Sequence, residues 1–152
     1  MNGVFIVFEG IDGTGKSTQL RRLASALEAA GRRCVVTGEP WRGSEAGRKI
    51  RAAMASAEHL DPEFELELFL EQRRDHVREV IRPALERGAT VISDRYLDTS
   101  AAYQGAGRGL GLDTILDLNL VAVGGLIPDR TFLVDIDVET ALARVGDKGD
   151  RI

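Results

Sequence analysis

The chain has 152 residues, 43% of them hydrophobic and 29% charged, with a formal net charge of −4. That length suits one domain with a real core, and the acidic balance excludes a general nucleic-acid binder. No apolar run reaches membrane length, and a single cysteine, Cys34, excludes an internal disulfide, so a buried thiol in a reducing, cytoplasmic setting is expected.

The first eight residues lack a basic leader and read as a strand, Val4–Glu9, rather than a signal peptide. Residues 16–30 are helical, with Leu20, Leu23, Ala24 and Leu27 on one face and Gly31 as the stop. A second strand covers 34–37 and a helix 44–56. Asp61-Pro62 is a cap followed by a first-turn proline, opening a long helix over 62–87 with Gly88 as its end. A third strand at 90–94 precedes a helix at 97–104 and the glycine-rich run "GAGRGLG". Asp113 is expected to cap a helix over 113–123; a fourth strand at 131–137 and a short helix, Val138–Val145, follow. This alternation predicts an α/β fold, a parallel β-sheet flanked by helices on both faces, with ligands at the carboxyl ends of the strands.

The stretch "FEGIDGTGKST" places Gly10, Ile11, Asp12, Gly13, Thr14, Gly15, Lys16, Ser17 and Thr18 between the first strand and the first helix. It matches the Walker A pattern in full and in the right context. Its glycines let backbone N–H groups converge on a polyphosphate at a helix N-terminus. Lys16 is expected on the β/γ-phosphates and Ser17 on Mg²⁺; the alternative is a ligand-free glycine turn. Asp94, ending the third strand, is a Walker B candidate for the metal. Arg95 follows it and could bridge donor and acceptor phosphates, or merely pair with Asp94 or with solvent. In the long helix Arg73 falls on the apolar stripe four residues after Phe69. The two could grip a heterocycle by stacking and donation, or Arg73 could snorkel past the core edge. Neither Asn2 nor Asn119 sits in an Asn-Lys-x-Asp guanine reader, which argues against a GTP switch. His59 and His76 read as helix-surface or core residues.

These motifs in order, "FEGIDGTGKSTQ", "GEP", "LFLEQRRDHVREVIRPAL", "SDRYLDTSAAYQGAGRGL", "IPDRTFLVDIDVETALAR" and "GDRI", resemble the thymidylate kinases. These are P-loop nucleoside monophosphate kinases that make dTDP from dTMP and ATP. The "DRY…S..AYQG" segment is the most diagnostic. The resemblance implies a single P-loop domain of nucleotide-kinase type over 1–152, ending within a lid at about 144–152, without the family's last strand and helices or most of its adenine site. It implies MgATP and dTMP as substrates and a homodimer, for which helix 62–87 is a candidate contact. It assigns Phe69 to stacking on thymine, Arg73 to a thymine carbonyl, Arg95 to the acceptor phosphate and Asp12 to the deoxyribose 3′-hydroxyl. Ser100 and Tyr103 would line the base and sugar pocket, Tyr103 crowding out a 2′-hydroxyl, with Gln104 beside them and Glu39 facing the site. Gly13 stands where some members carry a catalytic arginine, so the lid type is implied, with Arg144, Lys148 and Arg151 as candidates and Arg151 preferred. Gly38 stands where the family often has arginine, and Trp41-Arg42-Gly43 where it has small residues, so Arg42 is a candidate replacement for a phosphate contact. An acceptor other than dTMP (UMP or a deoxynucleoside) and a nucleotide-binding but inactive chain are the competing readings.

Overall fold

The computed structural model describes residues 3–56 and 59–146. Along the chain run β1 (Val4–Glu9), α1 (Lys16–Ala29), β2 (Cys34–Gly38), α2 (Glu45–Ser56), α3 (Pro62–His76), α4 (Arg82–Glu86), β3 (Thr90–Asp94), α5 (Leu97–Ser100), α6 (Leu112–Ala122), β4 (Arg130–Leu133) and α7 (Val138–Val145). The four strands form one parallel sheet in the order β2-β3-β1-β4. The register pairs Phe8 with Asp94 and Asp94 with Gly38, so the carboxyl ends of β1, β3 and β2 lie side by side. That juxtaposition brings Glu9, Glu39 and Asp94 to one edge of the sheet.

Alternation along the strands sends side chains to opposite faces. Phe5, Val7 and Val91 pack with Val77, Ile81, Ala84 and Val123 on one face. Phe8 and Ile92 pack with Leu20 and Ala24 of α1 on the other. Helices therefore cover both faces, as the alternating pattern predicts. A third cluster of Ala46, Ile50, Leu68 and Phe69 ties α2 to α3, a roof over the strand ends.

Several expected boundaries change. The long helix over 62–87 starts as expected, with Asp61 Oδ1 accepting from the N–H groups of Glu63 and Phe64 at 3.1 Å each. It is then interrupted by a π-helical turn, Val77–Ile81, before α4. Pro83 lies just after that turn and lacks an N–H, so the regular ladder cannot run through it. The helix expected at 97–104 is four α-helical residues followed by a π-helical segment, Ala101–Gly107. Asp113 does not cap α6: the helix opens at Leu112 after Gly111 at φ 88°, and Asp113 sits inside its first turn. The fourth strand stops at Leu133 rather than 137, because its partner β1 gives way to the glycine loop; the last bond is Val134 N–H to Glu9 O at 2.8 Å. Cys34 is half-buried rather than buried, as it lies on edge strand β2. Strand β4 forms the other edge, with Phe132 47% and Leu133 71% exposed. Among the described residues no helix is long and apolar enough to cross a membrane.

Candidate active site

At the carboxyl ends of the strands lies a cleft of about 1380 Å³, bounded by the 10–18 loop, the residues after β2 and β3, and helices α2 and α3. It exceeds the roughly 300–1,000 Å³ of an ordinary small-ligand pocket and can hold two ligands.

Its floor is the glycine loop. Lys16 is 5% exposed, its Nζ donating to Ile11 O at 2.8 Å and lying 3.6 Å from Asp12 Oδ1. Burial, and then the charge of Arg95, push the Lys16 ammonium below its ordinary value. An anionic phosphate would relieve both effects. Thr14 Oγ1 donates to Ile11 O at 3.0 Å, tightening the turn. Gly13 has φ 83°, and a Cβ there would lie 2.2 Å from Ala141 O and 2.9 Å from Val145 Cγ2. Helix α7 thus closes against the loop where an arginine side chain would have to pass. From α7, Arg144 Nη1 donates to Gly13 O at 3.3 Å. Lys148 and Arg151 lie outside the described residues.

Ser17 and Asp94 come together from residues 77 apart, Ser17 Oγ donating to Asp94 Oδ2 at 2.8 Å. Among the described residues Asp94 Oδ1 is buried without a hydrogen-bond partner. A hydroxyl and an unpartnered carboxylate oxygen beside a phosphate loop fit a hard, oxygen-seeking cation such as Mg²⁺. Among the described residues no group of three or more His, Cys, Asp or Glu gathers as a metal cage.

Arg95 does not pair with Asp94. Its Nη2 donates to Asp12 Oδ1 at 2.6 Å, its Nη1 to Thr99 Oγ1 at 3.3 Å, and the guanidinium sits 5.7 Å from the Tyr103 ring centroid. Arg95 is also the one non-glycine residue with positive φ, 73°, among the described residues.

Arg73 does not snorkel. It is fully buried, and every guanidinium nitrogen is engaged. Nε donates to Glu39 Oε2 at 2.7 Å, Nη2 to Tyr96 O at 2.9 Å, and Nη1 to Ser100 Oγ at 2.9 Å and to Asn119 Oδ1. Glu39 also accepts from Gln72 Nε2 at 3.0 Å and from His76 Nδ1 at 3.0 Å. Burial pushes the Glu39 carboxyl up, but Arg73 and His76 more than offset this and hold it below the ordinary carboxylate value. Glu39 therefore braces Arg73, and Ser100 supports the same guanidinium from a fully buried position. His76 is a core residue, stacked 5.6 Å from Trp41 and bonded to the Thr37 hydroxyl at 2.6 Å.

Phe69, Arg73, Tyr103 and Gln104 share the cleft wall. Gln104 Nε2 donates to Glu65 Oε1 at 2.7 Å, and Arg108 Nη2 to Glu65 Oε2 at 2.8 Å. Gln104 Oε1 is buried with no partner among the described residues. Arg42, Arg48 and Arg51 line the opposite side; Arg51 Nε donates to Pro40 O at 2.7 Å. The sequence places Glu9 at the ligand-facing end of β1 without assigning it a role, and it gives no sign of Gln72, Thr99, Asn119, Glu65 and Arg51 as site residues. The usable signal was burial of polar residues on otherwise apolar faces, as for Gln72 and Asn119.

Comparison with known proteins identifies the family and the fold. A family model described as thymidylate kinase matches residues 8–151. A thymidylate kinase of Bifidobacterium longum (strain NCC 2705) is 47% identical across all of this chain and 76% of its own length. A thymidylate kinase of an Exiguobacterium species is 49% identical, over all of this chain and 73% of its own. The crystal structure of thymidylate kinase from Ehrlichia chaffeensis superposes with a TM-score of 0.82 at 37% identity, over 95% of this chain and 83% of that one. The chain belongs to the thymidylate kinase family.

Proposed function

We propose that this chain transfers the γ-phosphoryl group of ATP to dTMP, giving dTDP and ADP. The observation that carries the reading is the sharing of one cleft by a phosphate loop, an arginine at the end of β3 and a base-sized wall of Phe69, Arg73, Tyr103 and Gln104. Residues 10–18 grip the donor's phosphates, with Lys16 on the β/γ oxygens. Ser17 and Asp94 would hold Mg²⁺, which when bound neutralises phosphate charge. Arg95 clamps the acceptor phosphate against the donor and spreads the charge of the transferring group. Arg144 adds a cation beside the phosphate loop, and the lid candidates Lys148 and Arg151, outside the described residues, would add others, Arg151 being the preferred one.

In the acceptor pocket Phe69 stacks on the base. The unpartnered Gln104 Oε1 accepts from the base imide N–H, an acceptor that Glu65 orients by holding the amide's other end. Arg73 donates to a base carbonyl by exchanging one of its neutral partners for the ligand. Asp12 meets the sugar 3′-hydroxyl, and the Tyr103 ring fills the space of a 2′-hydroxyl. The attacking group is a phosphate dianion, already a nucleophile, so the site requires no general base; closure and alignment supply much of the acceleration. Arg42 and Arg51 add positive charge on the acceptor side. A homodimer is part of the same proposal. The exposed Leu112, Leu116 and Leu120, spaced four apart along one stripe of α6 and 44–51% accessible, support an apolar contact surface. So is a cytoplasmic setting, supported by the free Cys34 thiol.

The test is ADP release by the full chain with MgATP and dTMP, UMP, AMP, thymidine or no acceptor. Release that requires dTMP supports the reading. Equal release with UMP moves the acceptor assignment, and binding of ATP without release by any acceptor favours an inactive nucleotide binder.

A further inference from the structure

Glu9 closes β1 and is 4% exposed. Both carboxylate oxygens are taken by the segment that follows β3. The Tyr96 backbone N–H donates to Oε1 at 2.8 Å, and the Thr99 hydroxyl to Oε2 at 2.6 Å. Both donors are uncharged, and burial pushes the Glu9 carboxyl up from its ordinary value. A carboxylate buried between neutral donors is a costly way to satisfy two hydrogen bonds. What the arrangement specifies is the conformation between those donors.

Arg95 lies directly before Tyr96 in a left-handed conformation at φ 73°, which a residue with a Cβ adopts only at a cost in strain. The turn is pinned on both sides: Arg95 N–H donates to Phe8 O at 2.9 Å, and the next N–H goes to Glu9. The side chain is set by the same carboxylate. Because the Thr99 hydroxyl gives its proton to Glu9, its lone pairs are left for Arg95 Nη1 at 3.3 Å. Thr99 is itself 8% exposed, so this relay is shielded from water.

We infer that Glu9 is a positioning residue for the acceptor-phosphate clamp: through the Tyr96 N–H and the Thr99 hydroxyl it fixes both the backbone turn and the guanidinium of Arg95. The inference rests on the reading of Arg95 as that clamp. Glu9 touches no ligand in this scheme; it acts through Arg95.

The test is calorimetric titration of the full chain with dTMP and with thymidine, whose affinity ratio isolates the grip on the phosphate. Arg95→Ala should lower the ratio by roughly 10- to 100-fold, the value of charge-assisted hydrogen bonds to phosphate. Glu9→Gln and Thr99→Val should each lower it by about tenfold with thymidine affinity unchanged, while Thr99→Ser, which keeps the hydroxyl, restores it. The double variant of Glu9→Gln with Thr99→Val should lose little more than either single, since both act through one relay. If Glu9→Gln and Thr99→Val leave the ratio at wild type, or weaken both ligands equally, Glu9 is structural only and the inference is overturned. If Arg95→Ala itself leaves the ratio unchanged, the clamp reading falls and the relay with it. Should Glu9→Gln fail to fold, Thr99→Val and Thr99→Ser still decide the matter.

Discussion

The buried pair Glu39–Arg73 lends itself to a sharp perturbation, Glu39→Gln. Both side chains are essentially inaccessible, at 1% and 0%, and the closest approach is 2.6 Å. The substitution keeps shape and one acceptor but removes the charge that offsets a fully buried guanidinium. Breaking such a pair from one side costs about 3–5 kcal/mol. Against a total stability of ~5–15 kcal/mol this is a large fraction. For a chain of this size it corresponds to a fall in Tm of roughly 6–20 °C. The effect carries a pH signature. The folded pKa of Glu39 is depressed below its ordinary 4.5, so its stabilisation is complete above that value and is lost as pH falls through the lower folded pKa. The gap between wild type and Glu39→Gln should therefore be full at pH 7 and shrink below pH 4.5. Thermal unfolding by circular dichroism between pH 3 and 7 measures it. A loss under about 1 kcal/mol at pH 7, or a gap that does not narrow in acid, would refute the claim that Glu39 is charged and holds Arg73 in place.

Further predictions concern the ligands. Phe69→Ala should weaken dTMP by ~1–3 kcal/mol, the worth of base stacking, with ATP affinity nearly unchanged; equal losses for both ligands would assign Phe69 to the α2–α3 core alone. Tyr103→Phe should preserve discrimination against ribose, since the ring rather than the hydroxyl fills the space; kinetics with a ribonucleotide acceptor read this directly. Gln104→Met should cost at least about 1 kcal/mol of base recognition, leaving Glu65 with a single partner; unchanged affinity for dTMP would remove Gln104 Oε1 from the pocket's list of acceptors. Asp94→Asn should weaken ATP binding in the presence of Mg²⁺ far more than in its absence, and equal effects with and without the metal would exclude Asp94 as its ligand.

What could be read from sequence was what local chemistry decides. The glycine loop, the Asp61-Pro62 start and the first three apolar strands each carry their signal within a few residues, and each stands where expected to within a residue. The π-helical turns at Val77–Ile81 and Ala101–Gly107 do not, because they answer to packing and to Pro83 rather than to periodicity. The site splits the same way. The meeting of Ser17 and Asp94 at the loop was readable, because a phosphate loop and the end of a neighbouring strand each carry a local signal. Glu39 lines the cleft, as the sequence leads one to expect, and it also braces Arg73, a role that depends on Gln72, His76, Ser100 and Asn119 from three other segments. Glu9 read as the polar end of a buried strand, near the ligands but with no role of its own. Its partners lie 87 and 90 residues away, and nothing local in "VFIVFEG" marks a carboxylate that holds an arginine across the sheet.

The central claim is that the terminal phosphate of ATP passes to dTMP within this cleft. Incubating the full chain with ATP labelled at the γ-phosphorus and with dTMP, then separating the products, tests it most directly. The account predicts label in dTDP in proportion to the ADP formed. Label recovered only as inorganic phosphate, at a rate indifferent to dTMP, would contradict it.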